Sequence, residues 1–473
     1  MTRRQLDLLL VAVGLPLVAL YSRVNVDDPF ITFRYAWNFA AGNGLVFNIG
    51  EKVLGTTSPL FAIVLGTLSG RADAIPMIAH GISGAALIVA ALLLSRIVGS
   101  LNTDDAPMIA PLFVLTSPLL AQTQGFELNL YVAFVLGGIR SATLGRTGWS
   151  GICLAAAALF RGDALIPAAL VGLHVLRAGL GDWRKFAIGF GVPIVLFAAA
   201  AWSYYGYPLP NTLAAKRAMG ESGLWRGYTY GGLRLAGLYV MHSPLYLALV
   251  PVAVLGLRRL LSREEALLRN GRGTGVTFIF IWTGVVFVVY AAMGIPSAFN
   301  YYGTLVPVIG ILLGLGSGEL ANRFNSRWVS TAVVVVICAA QIWPSRDTLA
   351  DVPSPRYEAY RRAAEQIHDL VGPDQTVAVV EIGILSHFSQ VRILDLVGLV
   401  HPEIGPHLAE GDVSWPVREL RPEFVLLHDP PWPSIETGIF ETEWFGKDYT
   451  VNKAFSDPAP YRLVLYKRNR IQP

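Results

Sequence analysis

As far as Ile342, apolar residues run through this chain in long blocks separated by short polar stretches. Blocks of roughly 20 residues match a helix crossing a bilayer. Crossings are expected at Leu6–Tyr21, Ala74–Ser95, Met108–Ala121, Leu128–Ile139, Trp149–Phe160, Ala164–Val175, Phe186–Tyr204, Leu238–Leu257, Val276–Ala292, Tyr302–Leu315 and Trp328–Ile342, about eleven in all. Ser58–Leu68 is apolar but short, and reads as a re-entrant or interfacial segment. In the loop before it, Phe30–Phe39 mixes aromatics with one arginine, which predicts a helix lying in the interface and ended by Gly42-Asn43-Gly44. After Ile342 the pattern changes. Tyr357–Leu370 has helical spacing, and Thr376–Val380, Arg392–Leu396 and Phe424–His428 read as buried strands. The expected fold is a polytopic α-helical membrane protein over residues 1–345, with a small α/β domain over 346–473.

Loop charges orient this arrangement. Arg177, Arg184 and Lys185 occupy one loop; Arg258, Arg259, Arg263, Arg269 and Arg272 a second; Arg323 and Arg327 a third. The loops are two crossings apart, and lysine and arginine collect on the cytoplasmic side. Arg3, Arg4, Arg140 and Arg146 then fall inside as well. The first loop, Gln122–Asn129, Asn211–Leu233, Gly294–Tyr301 and the C-terminal domain fall outside. The N-terminal apolar segment lacks a small-residue cleavage site and is expected to stay as the first helix.

Composition agrees. The 473 residues are 53% hydrophobic and 15% charged, against about 25% charged in soluble domains. The mean hydropathy is +0.49. A net charge of +4 would suit nucleic acid only if it were clustered, and here it is spread over short loops. The two cysteines, Cys153 and Cys338, lie in apolar runs and give no metal or disulfide framework.

The polar residues that could carry chemistry gather on the outer side. Asp27 and Asp28 follow the first span directly, where a lipid headgroup would lie. Arg34 and Tyr35 stand on the interfacial helix. Glu127 opens a span, and Arg161-Gly162-Asp163 joins two short ones. Asn211, Lys216 and Arg217 share an outer loop, His242 lies near the next span, and Tyr301 and Tyr302 precede another. Each also has a plainer role. Charges flank most spans, Glu127 suits a helix start, Arg161 and Asp163 can simply pair, and interfacial tyrosines form belts. Together they divide the work of a transfer reaction at the lipid boundary. A carboxylate of the doublet takes a proton from a hydroxyl, and Lys216, Arg217, Arg161 or His242 neutralises a departing phosphate. Two carboxylates so close need not titrate independently, which tunes one as a base. Arg34, Tyr35, Glu127, Asn211, Tyr301 and Tyr302 are then substrate contacts.

Several segments resemble a known family. Asp27-Asp28-Pro29-Phe30-Ile31-Thr32-Phe33-Arg34-Tyr35-Ala36, followed by Gly42-Asn43-Gly44-Leu45-Val46-Phe47-Asn48, Gly50-Glu51 and Thr57-Ser58-Pro59-Leu60, resembles the first outer loop of the GT-C glycosyltransferases. Within that class it is most similar to the mycobacterial terminal β-(1→2) arabinofuranosyltransferase group and its bacterial relatives. Gly125-Phe126-Glu127, Arg161-Gly162-Asp163, Pro210-Asn211-Thr212 with Lys216, and Asp395-Leu396-Val397-Gly398-Leu399 resemble later segments. The chain departs from the pattern at Leu54-Gly55-Thr56-Thr57, at Gly162 where proline is usual, and near Asn300–Tyr302, where an expected arginine is absent.

The resemblance implies an inverting transferase of the bacterial cell membrane, working on its outer face. Its donor would be a polyprenyl-phosphate-linked sugar, arabinofuranosyl or mannosyl-like, and its acceptor a cell-envelope glycan or lipid. A first-loop aspartate would be the base, and the outer domain would help to hold the acceptor. No cofactor is implied; a divalent metal at Asp27 and Asp28 stays open but is not favoured. Two other classes compete. A transporter or flippase should show inverted repeats and ionisable groups at mid-membrane, and the ionisable groups here sit at span ends. A scaffold that only anchors the outer domain would transfer no sugar at all. Asp27→Asn and Asp28→Asn discriminate, since loss of transfer with normal membrane insertion marks the enzyme and unchanged transfer sinks the assignment of the base.

Overall fold

Hydropathy divides the structure, a computed structural model describing residues 2–101, 105–269, 273–326, 328–456 and 458–469, into a helical bundle and a small sheet domain. Arg272 and Arg327 of the charged loops lie outside the described residues, as do the side chains of Arg263 and Arg269. Among the described residues, seven helices are long and apolar enough to cross a membrane: Arg3–Tyr21, Ala74–Leu101, Leu180–Tyr205, Leu245–Ser262, Thr274–Ala292, Leu305–Arg323 and Trp328–Arg346.

The remaining expected crossings are shorter helices. Ala106–Thr116 is separated from Pro118–Ala121, and Leu128–Thr143, Thr147–Phe160 and Leu165–Ala178 have 16, 14 and 14 residues. At 1.5 Å per residue, even the longest falls short of a core of roughly 30 Å. The expected span Leu238–Leu257 is two helices, Tyr228–His242 and Leu245–Arg269, because the chain turns at Ser243-Pro244.

The first loop folds as expected and is covered in an unexpected way. Pro29 stands in the first turn of the helix Asp28–Ala40, where its missing N–H costs nothing. Gly42 and Gly44, at φ of 80° and 90°, turn the chain after it. The helix does not lie free in the interface. Phe30, Phe33, Tyr35 and Ala36 are buried against Pro59–Leu68 on one side and the C-terminal domain on the other.

That domain begins after the helix Trp328–Ala350. Its first helix, Pro355–Leu370, is capped by Ser354, whose hydroxyl accepts from the Tyr357 N–H. Five strands follow: β1 (Thr376–Val379), β2 (Arg392–Asp395), β3 (Phe424–His428), β4 (Tyr449–Phe455) and β5 (Leu463–Arg468). Their order is β2-β1-β3-β5-β4. β1 is parallel to β2 and β3, and β5 is antiparallel to β3 and β4. One hydrophobic core joins Phe30, Phe33 and Phe61 of the first loop and its neighbour to Tyr360, Ile367, Val377 and Phe424 of this domain.

Candidate active site

The acid doublet sits where the sheet domain meets the bundle. Asp27 accepts the N–H of Gly383 on one carboxylate oxygen at 3.0 Å and that of Ile384 on the other at 2.7 Å. These amides start the helix Gly383–Ser389, which leaves β1 through Val380-Glu381-Ile382. A side chain at Gly383 would stand 2.0 Å from the Asp27 carbonyl oxygen, so the approach requires glycine. Burial and the Glu381 carboxylate push Asp27 up to about 8, against the two amides that pull it down.

Asp28 is exposed to solvent yet set deep among the surrounding elements, as a group lining an open cleft would be. Its pKa is raised, first by desolvation and then by Glu381 and Glu127, while Lys216 and Arg356 oppose the rise.

The other expected residues divide into three sets. Glu127, Arg161, Lys216, Tyr301 and Tyr302 converge. Arg161 is buried between two carboxylates, 3.3 Å from Glu127 and 3.1 Å from Asp163, and donates to the Tyr290 hydroxyl at 3.2 Å. Tyr290 in turn donates to Asp163 at 2.7 Å. Arg161 is therefore a paired cation that builds the wall of the cleft. Lys216 makes no ion pair among the described contacts; its ammonium lies 4.6 Å from the Tyr301 ring, whose other cation neighbour is Arg161 at 5.6 Å. Tyr302 donates to the Tyr228 carbonyl and stacks on that ring at 4.7 Å.

Arg34, Tyr35 and Asn211 have their polar atoms committed to backbone. Arg34 donates to the carbonyls of Phe47 and Ser386 at 3.1 and 3.0 Å, and also to Gln390. The Tyr35 hydroxyl donates to the Val53 carbonyl at 2.6 Å and accepts from the Gly55 N–H at 2.8 Å. Asn211 donates to the carbonyls of Gly398 and Leu399. These three lock the loops around the cleft. Arg217 and His242 do not join it: Arg217 pairs with Glu221 in solvent, and His242 is exposed and hydrogen-bonds Leu238 one turn back.

Sequence reasoning missed Glu381 and Arg356. Glu381 was marked by its place just beyond a buried strand, where α/β sheets carry functional groups. Arg356 carried no local signal. Beside the cleft, an apolar cavity of about 500 Å³ runs between helices. Leu119, Leu235, Ala236, Leu249 and Ile309 line it, and Tyr302 and Gly232 stand in its wall. Among the described residues, no three His, Cys, Asp or Glu side chains are arranged to hold a metal ion.

Solved structures with this fold are known. The crystal structure of ArnT from Cupriavidus metallidurans in the apo state superposes with a TM-score of 0.58, at 14% identity over 97% of both chains. ArnT bound to undecaprenyl phosphate gives a TM-score of 0.54, at 13% identity over 97% of both chains. The Archaeoglobus fulgidus oligosaccharyltransferase, in complex with Zn and sulfate, gives 0.52 at 12% identity, over 96% of this chain and 72% of that one. The fold is thus of the GT-C type, a polytopic helical bundle carrying a small C-terminal sheet domain. Residues 348–466 match a family described as a domain of unknown function (DUF8728). No curated protein matches the sequence.

Proposed function

We propose that this protein is a membrane glycosyltransferase that moves a sugar from a polyprenyl-phosphate donor to a hydroxyl of a cell-envelope glycan or lipid. The observation that carries the reading is the pairing of two unlike groups in one cleft. Asp28 is exposed with a raised pKa, and Lys216 lies near enough to act on it. The apolar cavity nearby has the lining an isoprenoid tail needs.

Asp28 is the base and Asp27 its support, because both oxygens of Asp27 are already taken by amides. The acceptor hydroxyl gives its proton to Asp28 as its oxygen bonds to the anomeric carbon. The bond from that carbon to the phosphate oxygen breaks, and the phosphate leaves with its electron pair, its charge met by Lys216. A single displacement inverts the anomeric centre. The first-loop resemblance favours an arabinofuranosyl or mannosyl-like donor. The ArnT structure holding undecaprenyl phosphate supports a polyprenyl carrier.

On this reading the reaction runs on the extracytoplasmic face of a bacterial cell membrane. The site shares its end of the bundle with the C-terminal domain, whereas Arg259 and Arg323, both paired with Glu319, belong to loops whose charges favour the cytoplasmic side. The test is to incubate purified protein and a saccharide acceptor with polyprenyl-phosphate arabinofuranose and with polyprenyl-phosphate mannose. Release of polyprenyl phosphate with a product of opposite anomeric configuration is expected. No turnover of either donor refutes the transferase, and retained configuration refutes the single displacement.

A further inference from the structure

The C-terminal domain brings its own carboxylate to the acid doublet. Glu381 lies two residues before Gly383, whose N–H holds Asp27 at 3.0 Å. Its side chain is 13% exposed. Arg356 grips it, donating from Nε to one oxygen at 3.2 Å and from Nη2 to the other.

Arg356 is itself held. Its guanidinium rests 5.2 Å from the Trp432 ring, and that ring stacks on His428 at 4.0 Å and 11°. Glu436 fixes the stack, meeting His428 Nδ1 at 2.8 Å and accepting the backbone N–H of Trp432 at 2.9 Å. Tyr360 closes the array by bonding His428 Nε2 at 2.8 Å. Such a run of tied polar groups keeps a charge in one place in a medium where charges act strongly.

We propose that Glu381, clamped by Arg356, is a positioning residue of the transfer reaction: its fixed negative charge acts on the first-loop base, so that the active site is complete only with the C-terminal domain in place. The proposal rests on the reading of Asp28 as the base. The charged groups that act most on Asp28 are Lys216 from the helix Thr212–Glu221, Glu127 at the start of Leu128–Thr143, and Glu381 with Arg356 from the C-terminal domain, with Asp27 beside it. Glu381 itself is met by Arg356 and, at 3.9 Å, by the His428 ring. Glu381 and Glu127 push the Asp28 pKa up and make it a stronger base, while Lys216 and Arg356 pull it down. A plain structural partner for Arg356 would hold the fold equally well without touching this balance.

The experiment uses the full-length protein in detergent. A water-soluble carbodiimide, which reacts with the protonated carboxyl, labels Asp28 across a pH series, and mass spectrometry reads the midpoint. Donor turnover is followed over the same series. Glu381→Gln should lower the labelling midpoint and the acidic limb of turnover by about one pH unit. Glu381→Asp, which keeps the charge, should stay near wild type. Arg356→Gln should move the midpoint up, and it keeps the test open if Glu381→Gln fails to fold. A Glu381→Gln midpoint equal to wild type overturns the proposal whatever the turnover. Absent turnover in wild type with a shifted midpoint instead overturns the transferase reading and leaves the electrostatic role standing.

Discussion

Asp27 gives both carboxylate oxygens to the amides of Gly383 and Ile384, whereas Asp28, one residue on, is exposed to solvent. The pair was legible in the sequence because two adjacent acids directly follow the first span, where a lipid headgroup would lie. Their division of labour was not legible, since the amides that claim Asp27 come from residues more than 350 positions away. Asp27→Asn keeps one acceptor and sets an amide NH₂ against a backbone N–H. It should therefore cost about 1–3 kcal/mol of stability, read as a lowered Tm. The pH dependence has a definite sign. An acid raised to about 8 in the folded state contributes most below the unfolded pKa, and that contribution is lost as pH rises through 8. The wild-type advantage over Asp27→Asn should thus shrink between roughly pH 4 and pH 8; a constant Tm difference contradicts this. Arg161 shows the converse lesson. Its type suggested a phosphate ligand, but its partners, Glu127 and Asp163, make it part of the wall.

At the scale of elements, strong periodicity was readable and long-range cover was not. The helix expected at Tyr357–Leu370 spans Pro355–Leu370, and the three buried strands fall at Thr376–Val379, Arg392–Asp395 and Phe424–His428. β4 escaped notice because it lies at the sheet edge with its central residues largely exposed, which erases the apolar pattern. β5 lies between β3 and β4 with only its first half buried, Leu463-Val464-Leu465, too short an apolar run to stand out. The first-loop helix was expected in the interface. Its buried Arg34, donating to carbonyls on both the loop and the C-terminal domain, shows that it is instead an internal element of the junction. Arg34→Met leaves those carbonyls unpaired and should cost about 3 kcal/mol or more, again read in Tm. Gly383→Ala forces the Asp27 backbone away from the helix it caps. It should reduce stability by about 1–3 kcal/mol and transfer along with it; a variant with wild-type Tm and turnover would mean that the junction is loose.

For the molecule as a whole, the two domains named from composition share one hydrophobic core. Composition marks where apolar runs stop; it carries no information about what later covers Phe30 and Phe33. The cavity wall likewise assembles from helices remote in sequence, between Phe113 and Gln341. Filling it tests the tail site without touching the chemistry. Ala236→Trp should raise KM for a long-chain polyprenyl-phosphate sugar about tenfold, a loss of roughly 1.4 kcal/mol of binding. It should leave KM for a donor with a very short isoprenoid tail unchanged. An equal effect on both donors would show that the cavity does not receive the tail.

The base assignment is tested most directly by comparing wild-type protein with Asp28→Asn for release of polyprenyl phosphate from a polyprenyl-phosphate sugar in the presence of a saccharide acceptor. Asparagine keeps the shape and cannot take the proton, so turnover should fall about 10²–10⁴-fold with Tm nearly unchanged. Turnover within a few-fold of wild type would show that the proton goes elsewhere.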